Sequence, residues 1–133
     1  MNRVYFKHTF SPCVDNEITR WHLAHGWLWD VYDRKLKRNI GVFFCTLLCG
    51  DGCIIHFDCV PELSPEPVAI LSAFRSAVDL VSPDFNVVFA TIPSSKNKLI
   101  SCICRMGFFV CCDAKYWRDG QEITLLKYLP HSK

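Results

Sequence analysis

Three prolines within seven residues, Pro61, Pro65 and Pro67, divide the apolar second half of the chain into two kinds of structure. Proline lacks the N–H that a ladder needs, so strand pairing stops at Pro61. The same segment suits the start of a helix. A missing N–H costs nothing in the first turn, Ser64 can cap it, and Glu66 complements the helix dipole.

The apolar pattern on either side follows from this division. Ile40–Leu48 and Cys53–Val60 read as strands joined by Cys49-Gly50-Asp51-Gly52, a turn whose glycines tolerate positive φ. The helix Glu66–Val81 is expected to bury Val68, Leu71, Phe74, Val78 and Val81, spaced three or four apart, and to stop at Ser82-Pro83-Asp84. Asn86–Ile92 is a buried strand by length and β-branched content. Lys96–Arg105 reads as a short helix with Leu99, Ile100 and Ile103 inward, closed by Gly107 as its C′ residue. Phe108–Trp117 and Glu122–Leu129 complete the order as two strands around the turn Arg118–Gln121.

The first third is less regular. Arg3–Phe10 alternates as a strand and Ser11-Pro12 breaks it. Val14 to His25 has a partly helical periodicity behind Asp15, and Gly26 would end it. Trp27–Tyr32 fits either a second strand or a packed loop. Asp33–Asn39, DRKLKRN, suits an exposed turn.

A chain of 133 residues, half of them hydrophobic, has room for one core, so residues 1–133 are expected to form a single domain. A net charge of +2 gives no electrostatic case for nucleic acid. Arg34, Lys35, Lys37 and Arg38 lie beside Trp27, Trp29 and Tyr32, but Asp30 and Asp33 dilute that charge, and a solvated hairpin tip has the same composition. A nucleic-acid partner is therefore not expected. Neither is a membrane one, since no apolar run reaches the ~18 residues of a span. The start MNRVYFKHTF puts charged and aromatic residues where an export signal needs an uninterrupted apolar stretch, so none is expected. The nine cysteines are then expected to be reduced, as in a cytoplasmic protein, with Cys45, Cys53, Cys59, Cys102 and Cys111 as small buried hydrophobes.

Cys45, Cys49, Cys53, His56 and Cys59 include the residue types of a zinc site. Zinc needs four converging N or S ligands, whereas Cys53 and His56 point to opposite faces of one strand. No metal is expected. His56 and Asp58, by contrast, share a face. A histidine beside a carboxylate is the pattern of a general base and its orienter, although a polar, half-exposed strand face would look the same.

The segment Val42–Leu129, about two-thirds of the chain, resembles the GNAT superfamily of acyl-CoA-dependent N-acyltransferases. The likeness lies in the strand, long helix, buried strand, short helix order, in Asn97-Lys98-Leu99-Ile100 opening the short helix, and in Arg105-Met106-Gly107-Phe108 closing it. Short divergent GNAT-like proteins of phages and bacteria are the nearest in size. The resemblance implies an α/β (α+β) fold, a single GNAT-like domain with a central mixed, mostly antiparallel sheet flanked by helices. It also implies acetyl-CoA as cofactor and a small amine or a protein amine as acceptor. Cys59, Val60, Ser64, Ser94 and Asn97 would bind the cofactor, with main-chain N–H groups near the strand Cys53–Val60 polarising the acyl carbonyl. His56 and Asp58 would be catalytic.

Two positions depart from the family's pattern. Its phosphate-binding turn carries Gln/Arg-x-x-Gly-x-Gly/Ala, whereas Pro61–Pro67 has no glycine and adds Glu62 and Glu66. Its usual general-acid tyrosine falls on Ile103. The alternative is thus a catalytically silent domain of the same fold, a binding or structural protein with a protein partner or a second copy of itself.

Overall fold

The computed structural model describes residues 3–9, 17, 20, 21, 24, 26–48, 50–60, 67–115 and 122–131, with backbone alone at 59, 67, 114 and 115. Among these, seven strands form one sheet: β1 (Val4–His8), β2 (Trp27–Asp33), β3 (Arg38–Leu47), β4 (Gly52–Cys59), β5 (Val87–Pro93), β6 (Phe109–Lys115) and β7 (Glu122–Tyr128). Their order across the sheet is β1-β2-β3-β4-β5-β7-β6, and only the β4–β5 pair is parallel. The sheet is mixed and mostly antiparallel, as the resemblance implies. A long helix over Pro67–Val81 and a short one over Asn97–Arg105 pack against it.

Trp27 opens a strand, which resolves the choice left open for that stretch. Glu17, Arg20, Trp21 and Ala24 are helical, in keeping with the helix expected over Val14 to His25; the rest of that segment lies outside the described residues. The same holds for the break at Ser11-Pro12, for Cys49, for the turn Arg118–Gln121 and for the proline segment from Pro61 to Glu66 with Ser64.

The core lies between the sheet and the two helices. Phe43, Cys45, Cys53 and Ile55 of the central strands meet Ala69, Ala73, Phe74, Ala77, Val78 and Val81 of the long helix. This corrects the expected helix face, since Val68 is 57% exposed. Alanines at i, i+4 and i+8 share one stripe and let the helix backbone approach the sheet, which turns Val68 outward. Phe74, Val78 and Val81 are buried as expected, and Leu71 is half-buried.

The short helix is held at both ends of its apolar face. Ile103 is fully buried, and Leu99 and Ile100 pack against the core. Gly107 takes φ +108°, a conformation L-residues rarely adopt, and a Cβ there would sit 3.0 Å from the Tyr128 ring. Phe108, next in sequence, then packs between Phe74 (centroids 5.5 Å apart) and Tyr128 (5.1 Å). The helix, β6 and β7 are thereby fixed to one another.

The charged run Asp33–Asn39 divides differently from expectation. Arg34–Lys37 form the turn, but Asp33 is fully buried. Its carboxylate accepts from Arg3 Nε (3.0 Å to each oxygen), lies 2.8 Å from Arg3 Nη2, and accepts from the Lys35 (2.8 Å) and Leu36 (3.4 Å) N–H groups. Burial alone would raise its pKa. The hydrogen bonds from Arg3, Lys35 and Leu36, with the arginine's charge, outweigh burial and hold it below the ordinary carboxylate value. Asp33 thus fastens β1 to the β2–β3 turn.

Candidate functional site

The parallel pair β4–β5 does not stay together. Its ladder runs from Gly52↔Val87 to Ile55↔Ala90. Beyond that point each strand keeps its outer partner, β4 with β3 as far as Gly41↔Cys59 and β5 with β7 as far as Pro93↔Ile123. The two strands therefore part at their carboxyl ends, opening the middle of the sheet where ligands commonly enter α/β folds.

Next to the opening lies a cleft of about 520 Å³, lined by Ile70 and Leu71 of the long helix, by Ser95 and Lys96 after β5, and by Asn97, Lys98, Leu99 and Cys102 of the short helix. It combines an apolar wall with two cations and the amino end of a helix, where unpaired N–H groups favour anions. Among the described residues, Asn97 is the predicted binding residue in its lining. Ser94 stands immediately before it, hydrogen-bonded to Thr124 (Oγ to Oγ1, 2.8 Å), and its N–H donates to Glu122 O (3.0 Å). Val60 is buried and its N–H donates to Ile40 O at 2.9 Å, so that donor is already engaged. Of Cys59 only the backbone is described, at the end of β4.

His56 and Asp58 sit on β4 just past the last parallel pair. Their cross-strand partners are Phe44 and Val42, which with Leu28 form a small buried cluster on the face away from the long helix. The His56 ring stacks on Phe44 with centroids 5.7 Å apart and planes 3° from parallel. Burial pushes its pKa below the ordinary value, and the Asp58 charge offsets part of this. Burial thus favours the neutral imidazole, the form that can accept a proton.

Cys53 lies on the opposite face, in the core, where it shares a hydrogen bond with Cys45 that raises the Cys45 thiol and lowers that of Cys53. Cys53 and His56 thus lie on opposite faces of β4, and among the described residues no group of three His, Cys, Asp or Glu could hold a metal. No helix among them is long and apolar enough to cross a membrane.

Sequence reasoning missed Lys96, Lys98 and the pair Thr124–Asp113. The lysines carry a signal only once the short helix is set beside an open strand pair. Thr124 carried one from the start, as a hydroxyl inside the apolar run ITLL.

Ions and cofactors that fit an apolar slot with a basic mouth include CoA, whose slender arm needs the gap and whose phosphates need cations. The residues present fit that group at the β5 side and the short helix.

No family model matches the sequence, and neither does any curated protein. Solved structures do match. The chain superposes on a spermidine N-acetyltransferase from Vibrio cholerae in complex with CoA and spermine with a TM-score of 0.74 at 11% identity, covering 96% of each chain. For a GNAT family acetyltransferase from Elizabethkingia anophelis with acetyl-CoA bound, the TM-score is 0.73 at 10% identity, over 97% of this chain and 99% of the other. For an IAA acetyltransferase from Bacillus cereus it is 0.71 at 10% identity, over 95% and 99%. The chain has the GNAT fold.

Proposed function

We propose that this GNAT-fold chain is an acyl-CoA-dependent N-acyltransferase acting on an amine. The observation that carries this reading is the parting of β4 and β5 after Ile55 and Ala90 beside a cleft lined by Lys96 and Lys98. Acyl-CoA would supply an activated thioester. Lys96 and Lys98 would meet its phosphates, a role that a glycine-free turn after Pro61 fills poorly. Asn97, Ser94 and the end of β4 at Cys59 and Val60 would border its arm, with Ser64 beyond them.

His56 is the proposed general base. Held neutral by burial, it takes the acceptor ammonium's proton on an imidazole nitrogen, and Asp58 stabilises the imidazolium that results. An amine acceptor fits these two groups, since both favour a cation. The similar structure that holds spermine makes polyamines the first amines to try. A cytoplasmic setting would keep Cys45, Cys53, Cys102, Cys104, Cys111 and Cys112 as the free thiols they are here.

One observation favours a second reading. Ile103, at the position of the family's proton donor, is completely buried and has no proton to give. A silent GNAT-fold binding protein, with a protein partner or a second copy of itself, would carry that residue without penalty. Thiol release from acetyl-CoA in the presence of spermidine and a panel of primary amines separates the two. The enzyme releases thiol in step with amine and loses this in His56→Ala. Tight acetyl-CoA binding with no amine-dependent release identifies the silent domain.

A further inference from the structure

Ser94 follows the last residue of β5, and both its polar groups turn toward β7. Its Oγ lies 2.8 Å from Thr124 Oγ1, and Thr124 Oγ1 donates to Asp113 Oδ1, also at 2.8 Å. Thr124 is only 4% exposed, on a face it shares with its cross-strand partner Ile92 and with Leu126. A hydroxyl buried among apolar side chains is costly unless its hydrogen bonds are made, and here two are.

The direction of this chain follows from counting protons. A hydroxyl has one to donate, and an ionised carboxylate only accepts. Thr124 therefore spends its proton on Asp113 and accepts from Ser94, and Ser94 spends its proton on Thr124. What remains on Ser94 Oγ is lone-pair density, strengthened by a chain that ends in a charge.

We infer that Ser94 is an acceptor-only contact at the carboxyl end of β5. It takes an N–H donor from the ligand and turns away phosphate and carbonyl oxygens. Ser94 is half-buried and immediately precedes the cleft lining that starts at Ser95, where Lys96 and Lys98 offer the opposite preference. The identity of the donor rests on the acyl-CoA reading: it is either an amide N–H of the acyl-CoA arm or an N–H of the acceptor amine. Thr124 and Asp113 are positioning residues that set the polarity of Ser94.

The test uses the full chain and the variants Ser94→Ala, Thr124→Val and Asp113→Asn, each checked for a cooperative melt. Asp113→Asn keeps an accepting oxygen and serves as the conservative variant. Acetyl-CoA affinity is measured by calorimetry. The Ser94 β-carbon resonance of the ligand-free protein is followed with methylammonium chloride and, separately, sodium phosphate at matched ionic strength. If the donor is the arm, Ser94→Ala weakens acetyl-CoA binding by about tenfold, as for one lost hydrogen bond of ~1.4 kcal/mol, and Thr124→Val does so although the serine is still there. If the donor is the amine, acetyl-CoA affinity holds, methylammonium moves the Ser94 resonance, and Thr124→Val abolishes the response. Asp113→Asn gives the weaker effect in either case. A Ser94 resonance that responds to phosphate and not to methylammonium overturns the inference. So do variants that match the wild type in both measurements. A wild type that ignores acetyl-CoA yet responds to methylammonium sinks the acyl-CoA reading and leaves this one standing.

Discussion

Ile55 and Ala90 are the last residues paired across the parallel strands, and His56 and Thr91 are the first on either side of the gap. The base proposed for the reaction is thus placed by where a ladder stops. A strand that kept its partner would have closed the gap beside it.

The first prediction concerns His56. Replacing it with Ala should lower kcat by about 10²- to 10⁴-fold, the usual contribution of a positioned base. The acid limb of the pH–rate profile should lie below the ordinary histidine value, because burial disfavours the imidazolium. Asp58 pulls the other way. Asp58→Asn should therefore move that limb to still lower pH, and a move to higher pH would contradict the assignment.

The second concerns Lys96 and Lys98. Charge reversal to Glu at each should weaken acetyl-CoA binding by on the order of tenfold at low salt, with the loss shrinking as ionic strength rises. Calorimetry across a salt series reads this. A loss independent of salt would mean the lysines shape the cleft rather than meet phosphate.

The third concerns Asp33. Arg3→Ala leaves a buried carboxylate without its cation and should destabilise the fold by about 3–5 kcal/mol in urea melts at pH 7. The folded-state pKa is lowered, so the carboxylate stabilises the fold at pH values above the unfolded value of 3.8. That contribution fades as pH falls through the folded value. The gap between wild type and Asp33→Asn should accordingly close in strong acid.

The fourth concerns the long helix. Ala73→Leu forces extra volume against the sheet and should cost about 1–3 kcal/mol. Val68→Ser, on the exposed face, should change stability by less than about 0.5 kcal/mol. The reverse ranking would restore the face read from apolar spacing.

These contrasts show what could be read from residue order. The turn at Gly50 to Gly52, the helix stop at Ser82, and Gly107 as a helix end depend on local backbone chemistry, and they are found where the sequence puts them. The shared face of His56 and Asp58 needs only the strand's period of two. Val68 was misplaced because spacing weighs valine above alanine, while packing against a sheet rewards the alanine stripe of Ala69, Ala73 and Ala77. Asp33 looked like one more charge in DRKLKRN, since its partner Arg3 is thirty positions away. Lys96 and Lys98 carry no signal in the residue order, because their role depends on the parting of β4 and β5 that gives them a cleft to face. Thr124 stands out in the sequence as a hydroxyl inside ITLL, but only the cross-strand register sets it beside its partner Asp113.

The measurement closest to the central claim is the melting temperature of the protein with and without acetyl-CoA. A ligand that binds only the folded chain must raise its apparent stability, by about 2.7 kcal/mol at a hundred times Kd. The proposed cleft predicts a concentration-dependent rise that Lys96→Glu with Lys98→Glu suppresses. A melting temperature unmoved by millimolar acetyl-CoA would contradict it.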